Sequence, residues 1–166
     1  LDRLTSEGSI LVRISVGDLT HPQVIALLEA HLQDMHATSP IESAHALDVS
    51  ELNHASVTFW TLWQGDQLAG CAAIKQLTPQ HAEIKSMRTA NAFRKQKVAV
   101  TLLKHLLRQA ASRGYQRLSL ETGSMDFFIP ARNLYRKFGF EECGPFGDYQ
   151  LDPHSVFMTR KITGSL

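Results

Sequence analysis

The sequence predicts an α/β domain built on a mixed sheet. Three observations carry the prediction. Three strand-like segments follow one another through short turns between Val57 and Thr89. A helical pattern then separates this meander from a further strand, and a strand–helix–strand unit gives parallel neighbours with a right-handed connection. A second helix and two more strands close the chain, so that the order reads β α (α) β β β α β α β β.

Each element has a local reason. SILVRIS (Ser9–Ser15) alternates as a strand. HPQVIALLEAHLQDM (His21–Met35) places Val24, Leu27, Leu28 and Leu32 at helical spacing, with Pro22 suited to a first turn. The polar stretch ATSPIESAHALDVSEL has room for a short helix after Pro40. VTFWTLW (Val57–Trp63), QLAGCAAIKQL and AEIKSMRT read as strands joined by turns at GDQ (Gly65–Gln67) and TPQH (Thr78–His81). Val98, Leu102, Leu106 and Ala110 mark the buried face of the next helix, which stops at Gly114. QRLSLET (Gln116–Thr122) is a strand, and a helix runs from about Pro130 to Lys137 before Gly139 ends it. FEECG begins a short strand, and SVFMTRKI (Ser155–Ile162) is the last.

Length and composition fit this reading. The 166 residues suggest one domain, 1–166, with a good-sized core. The net charge of +1 gives no electrostatic case for a nucleic-acid or membrane partner. No apolar run approaches the roughly 20 residues that span a bilayer. LDRLTSEGS lacks the apolar centre of a secretory signal. Cys71 and Cys143 form neither a metal spacing nor a disulfide framework, which makes a reduced, cytoplasmic setting the expectation. His31 and His36 are five apart, not on one helical face, and no HExxH or CxxC occurs, so no metal is expected.

One stretch resists a purely structural reading. In FRKQKVAVTLLKHLL (Phe93–Leu107), Arg94, Lys95 and Lys97 crowd the start of a helix, where the macrodipole makes cations mildly unfavourable. A solvated basic turn is one explanation. The other is an anion site, since free N–H groups at a helix start, reinforced by Lys and Arg, hold phosphate well.

Three local features then carry a family resemblance. RKQKVA (Arg94–Ala99) resembles the pyrophosphate loop [QR]-x-x-G-x-[GA] of the GNAT superfamily of N-acetyltransferases. ARNLYRKFGF (Ala131–Phe140) resembles the family's A-x-x-LY-x-x-x-GF helix. Glu83 lies eleven residues before Arg94, where several members carry a catalytic glutamate. The resemblance spans nearly the whole chain. SPIESAHALD, EIKSMRTA, LETGS and GPFGDYQLDPHSVFM are further similar to a bacterial subgroup of acetyltransferases.

The resemblance implies the GNAT acyl-CoA N-acyltransferase fold, a central mixed and mostly antiparallel sheet flanked by helices. It implies acetyl-CoA as cosubstrate, with the pyrophosphate cradled by Arg94, Lys95, Gln96, Lys97, Val98 and Ala99. Lys97 stands where the family usually has glycine. Met87, Arg88 and Thr89 match the main-chain positions that bind the pantetheine arm and acetyl carbonyl, on a strand expected to splay from its neighbour. Asn133 would reach the cofactor from the last helix. Tyr135 would be the general acid toward the leaving thiolate, and Glu83 the base. A lysine-like amine costs about 4–5 kcal/mol to deprotonate at pH 7, which is what a base must help meet.

The acceptor pocket is expected among Glu42, Ser43, His45, Thr122 and Phe128, with Ser124, Phe127, Phe146, Tyr149 and His154 as further wall candidates. Phe128 occupies the place of the family's frequent asparagine. The function implied is transfer of acetyl to a primary amine of a small metabolite. The alternatives are a peptide or protein N-acetyltransferase and a non-catalytic acyl-CoA-binding module. Because GNAT domains often pair through sheets or C-terminal strands, SVFMTRKI is a candidate edge for a homodimer.

Overall fold

A computed structural model describes residues 2–5, 11–38 and 49–163. Its centre is a sheet of eight strands: β1 (Asp2–Thr5), β2 (Leu11–Val16), β3 (Val57–Gln64), β4 (Gln67–Thr78), β5 (His81–Thr89), β6 (Arg117–Gly123), β7 (Glu141–Cys143) and β8 (Ser155–Lys161). The spatial order is β1-β2-β3-β4-β5-β6-β8-β7. Only β5 and β6 run parallel among these neighbours, and the helix between them, α3 (Val98–Ser112), is the crossover that parallel pairing requires.

The other α-helices among the described residues are α1 (Pro22–Thr38), a single turn α2 (Val49–Leu52) and α4 (Ile129–Lys137). Pro22 opens α1, and the His21 ring nitrogen accepts the free N–H of Gln23 at 3.1 Å. Strand alternation divides the core into two layers. Trp60, Leu62, Ile74, Ile84, Leu118 and Leu120 meet Leu102, Leu103 and Leu106 of α3 on one face, with Tyr135 of α4 and Phe140 after it. Phe59, Trp63, Leu68, Cys71 and Ala73 meet Val24 and Leu28 of α1 and Leu52 of α2 on the other. Helices therefore cover both sides, as the predicted fold class requires.

Two differences from the sequence reading, and one agreement, are informative. The strand β1 was not anticipated; four residues carry no readable period, and β1 is defined by its pairing with β2. The short helix expected after Pro40 in ATSPIESAHALDVSEL is matched by α2 at Val49–Leu52. The strand β8 is not an edge. It sits between β6 and β7, antiparallel to both: β6 pairs with it from Ser155 to Lys161 and β7 from Phe157 to Thr159, so the middle of SVFMTRKI is paired on both sides within the chain.

Two irregularities shape the centre. The β4–β5 register shifts so that Ser86 and Met87 together oppose Ala72, a bulge carried by Ser86 at φ 53°. Parallel pairing of β5 with β6 runs from His81–Arg117 to Ile84–Leu120 and stops, while both strands continue. The expected splaying is thus present, and the bulge lies two residues beyond its root.

Gly70 lets α3 close over this region. A methyl group there would lie 2.8 Å from the Arg88 carbonyl oxygen and 2.8 Å from the Val98 side chain. The carbonyl is fixed by the sheet and cannot yield cheaply. Gly70→Ala is expected to destabilise the protein by about 1–3 kcal/mol in urea unfolding, the usual cost of overpacking.

Candidate active site

The parted strands form a V. One wall is β5 from Lys85 to Thr89; the other is β6 from Glu121 to Gly123, backed by β8 as far as Ser155. The basic turn and the start of α3 follow β5 directly. Arg94, Lys95, Gln96 and Lys97 are exposed, Val98 is buried and Ala99 half-buried. Lys95 and Lys97 have φ of 66° and 62°. Left-handed geometry costs a side-chain-bearing residue roughly 1–2 kcal/mol, so two lysines held there shape the turn at some expense. The first helical bond of α3 is Thr101 N–H to the Lys97 carbonyl at 3.0 Å, and no side chain caps the helix. The N–H groups of Val98, Ala99 and Val100 therefore lack an intrahelical acceptor. An anion satisfies them and offsets the lysine charges together. These residues fit a pyrophosphate, and Lys97 adopts the conformation for which glycine is the usual choice.

Tyr135 reaches the bulge from the other side. It is buried, packs edge-on to Phe140 at 5.8 Å, and its hydroxyl donates to Met87 Sδ at 3.7 Å. Burial pushes its ionisation upward, so the hydroxyl keeps its proton at physiological pH. Its ring is part of the core, and its hydroxyl meets the Met87 sulfur on the free part of β5. Met87 and Thr89 are half-buried. Arg88 sends its side chain away to α1, where it pairs with Asp34 at 2.5 Å. Asn133 is exposed on α4, where its Oδ1 accepts from Arg136 at 3.4 Å.

The carboxylate side is more crowded than the sequence suggested. Glu83 is 3% exposed. Its Oε2 accepts from the Tyr149 hydroxyl at 2.5 Å and lies 3.3 Å from Lys85 Nζ. Lys85 also donates to the Tyr149 oxygen at 2.8 Å. Burial, then the Glu83 charge, pushes the Tyr149 phenol upward. Phe146 and Phe157 pack against Tyr149. Tyr149 thus joins the site as more than a wall.

A residue that sequence reasoning missed is Glu121, on β6. Burial pushes its carboxyl up to about 7, against the opposing pull of Ser155 and Lys85, with the Glu83 and Asp152 carboxylates adding to the rise. Its signal was faint: a lone acid ending the alternation of RLSLE, two positions after Ser119. His31, on α1, is also buried. Desolvation and the Arg88 charge lower it to about 4, leaving the imidazole neutral at pH 7.

The other expected acceptor residues disperse. Thr122 is half-buried in β6, opposite Val156. Phe128 is buried with its ring over Gly123, where a methyl group would come within 2.1 Å of it. Phe127 is exposed, edge-on to Phe128. Ser124 donates to the Pro153 carbonyl at 2.8 Å, so it ties the end of β6 to the 144–154 segment. His154 is exposed. Glu42, Ser43 and His45 lie outside the described residues. Beside Arg88, a groove of about 310 Å³ runs between α1 and the β4–β5 pair, lined by Gln23, Leu27, Ala30 and Leu68. Among the described residues no three metal-ligating side chains cluster, and no helix is long and apolar enough to cross a membrane.

Comparison with known proteins agrees with this geometry. Residues 24–140 match the Acetyltransferase (GNAT) family. The chain is 52% identical over 151 residues to the uncharacterized N-acetyltransferase YsnE of Bacillus subtilis, covering 91% of this chain and 100% of the other. It is 50% identical over 146 residues to the uncharacterized N-acetyltransferase YedL of Escherichia coli, covering 88% and 92%. The fold is shared with a GNAT family acetyltransferase of Elizabethkingia anophelis solved with acetyl-CoA bound, at a TM-score of 0.63, 19% identity, and coverage of 90% and 97%. The chain is an acyltransferase of the bacterial GNAT acetyltransferase family, with acetyl-CoA as the family's acyl donor.

His31 and Glu121 give the site an opposed pH signature. His31 is lowered on folding, so its contribution is complete above about 6.5 and is lost as pH falls toward 4. Glu121 is raised, so its contribution is complete below about 4.5 and is lost as pH rises through 7. Glu121→Gln is expected to stabilise the protein by up to about 3 kcal/mol at pH 8 and to leave it unchanged at pH 4. His31→Gln is expected to flatten the loss of stability below pH 6.5. Urea unfolding across this range checks both.

Proposed function

We propose that the protein transfers acetyl from acetyl-CoA to a primary amine of a small metabolite, directly, in a ternary complex. The observation that carries this reading is the meeting of three features. The V between β5 and β6, the bulge at Ser86–Met87 and the Tyr135 hydroxyl adjoin one another, and the anion cradle follows β5 in the chain.

Arg94 and the free N–H groups of Val98, Ala99 and Val100 hold the pyrophosphate. The main chain of Met87, Arg88 and Thr89 receives the pantetheine arm, and a backbone N–H at the bulge steadies the carbonyl oxygen as charge develops on it. A carboxylate beside the V takes a proton from the bound ammonium. The amine nitrogen then bonds to the acetyl carbon as the carbon–sulfur bond breaks. Tyr135 gives its proton to the departing sulfur and regains one from the new amide nitrogen. Acetyl-CoA and RNH3+ thus give RNHCOCH3 and CoA thiol, with one proton left on the carboxylate. A small acceptor is favoured because Phe146 and Tyr149 pack across the sheet face that carries Glu83 and Lys85.

Titration calorimetry is expected to show acetyl-CoA binding that dephosphorylated pantetheine does not reproduce. Arg94→Ala should weaken acetyl-CoA about tenfold, the worth of roughly 1.4 kcal/mol, without affecting pantetheine. No binding of acetyl-CoA by the wild type would reject the reading.

Tyr135→Phe is expected to lower kcat by about 100-fold or more while leaving acetyl-CoA affinity unchanged. Rates come from thiol release with a panel of primary amines. A smaller loss would return Tyr135 to a packing role.

A further inference from the structure

The transferase reading leaves open which carboxylate receives the amine proton. We infer that it is Glu121 of β6, and that Glu83 is a positioning residue which holds Lys85 and Tyr149 in place. This assignment rests on the transferase reading.

Position is the first argument. Leu120 is the last β6 residue paired with β5, so Glu121 is the first residue of the free wall. On the opposite wall, the bulge at Ser86–Met87 begins two residues past Ile84, the partner of Leu120. An amine lodged in the V lies between this carboxyl and the bulge that polarises the acetyl group. Strand alternation sets Glu121 on the same face as Ser119, which is level with Glu83. Both acids therefore reach one side of the sheet, and the choice between them is chemical.

Occupancy is the second argument. The Glu83 carboxylate is engaged by a phenol at 2.5 Å and an ammonium at 3.3 Å. Both partners are donors, so this oxygen is already committed as an acceptor inside the sheet face. Glu121 is half-buried, and among the described residues it forms no such ion pair at contact distance. The groups around it are Lys85 and Glu83 from β5, Tyr149 and Asp152 from the 144–154 segment, and Ser155 from β8. Burial, joined by the Glu83 and Asp152 carboxylates and opposed by Ser155 and Lys85, leaves Glu121 easier to protonate than an exposed glutamate, and it ionises near the pH at which it must work.

In the step itself, the Glu121 carboxylate takes one proton from RNH3+. The freed lone pair forms the nitrogen–carbon bond, and Glu121 afterwards returns its proton to solvent. The Tyr135 exchange is unchanged.

The test compares wild type, Glu121→Gln, Glu121→Asp and Glu83→Gln. Each is assayed with acetyl-CoA and whichever of benzylamine, tyramine and the free amino acids turns over fastest, from about pH 5.5 to 9. Wild-type kcat is expected to rise with pH and level above about 7. Glu121→Gln should lose about 100-fold or more on the plateau together with the inflection, at unchanged acetyl-CoA affinity, and Glu121→Asp should recover part of the rate. Glu83→Gln should keep the inflection. Loss of the inflection in Glu83→Gln, or a Glu121→Gln enzyme within about threefold of wild type with its inflection intact, overturns the assignment. A wild type that binds acetyl-CoA and acetylates no amine of the panel ends the transferase reading, and the Glu121 role falls with it.

Discussion

The end of the β5–β6 ladder at Ile84 and Leu120 is the constraint on which the rest depends. Up to that point the sheet is an ordinary close-packed wall between two helical layers. Beyond it, β5 pairs with β4 alone, so one side of its backbone keeps donors and acceptors that can take an extended chain. The bulge at Ser86 turns the strand where it leaves its neighbour, and β8 prevents β6 from following. The opening is therefore held by hydrogen bonds on its outer sides, and it needs no cavity in the core.

Around this opening the protein places charge where charge is expensive. Glu83 with Lys85 and Arg88 with Asp34 are ion pairs whose first three members are each less than a tenth exposed. Such pairs seldom stabilise a fold more than apolar residues of similar size would. Their value is geometric: each joins β5 to another segment, Lys85 and Glu83 to Tyr149, Arg88 to α1. The acceptor side is thus framed by parts of the chain that share no local sequence.

That explains what could be read beforehand. The meander and the crossover helix follow from period and punctuation, and the structure keeps both. The basic turn was legible because a helix start rich in cations is locally anomalous. Glu121 was not legible, because its character comes from burial under the 144–154 segment and from acids on β5. Tyr149 was placed in a wall, but its bond to Glu83 spans 66 positions. The location of β8 was misjudged for a similar reason. Chain order says which strand comes last; only side-by-side pairing says where it goes.

The central position of β8 bears on how the chain assembles. The strand follows all the others in sequence yet fills a place inside the sheet. Until it arrives, β6 and β7 present unpaired edges toward each other, and Tyr149, just upstream, has no Phe157 to rest on. During synthesis the earlier strands emerge first and must stand open, their edges exposed to other chains. The acceptor side is consequently finished only when this strand threads home, so the event that seals the sheet against aggregation also completes the site.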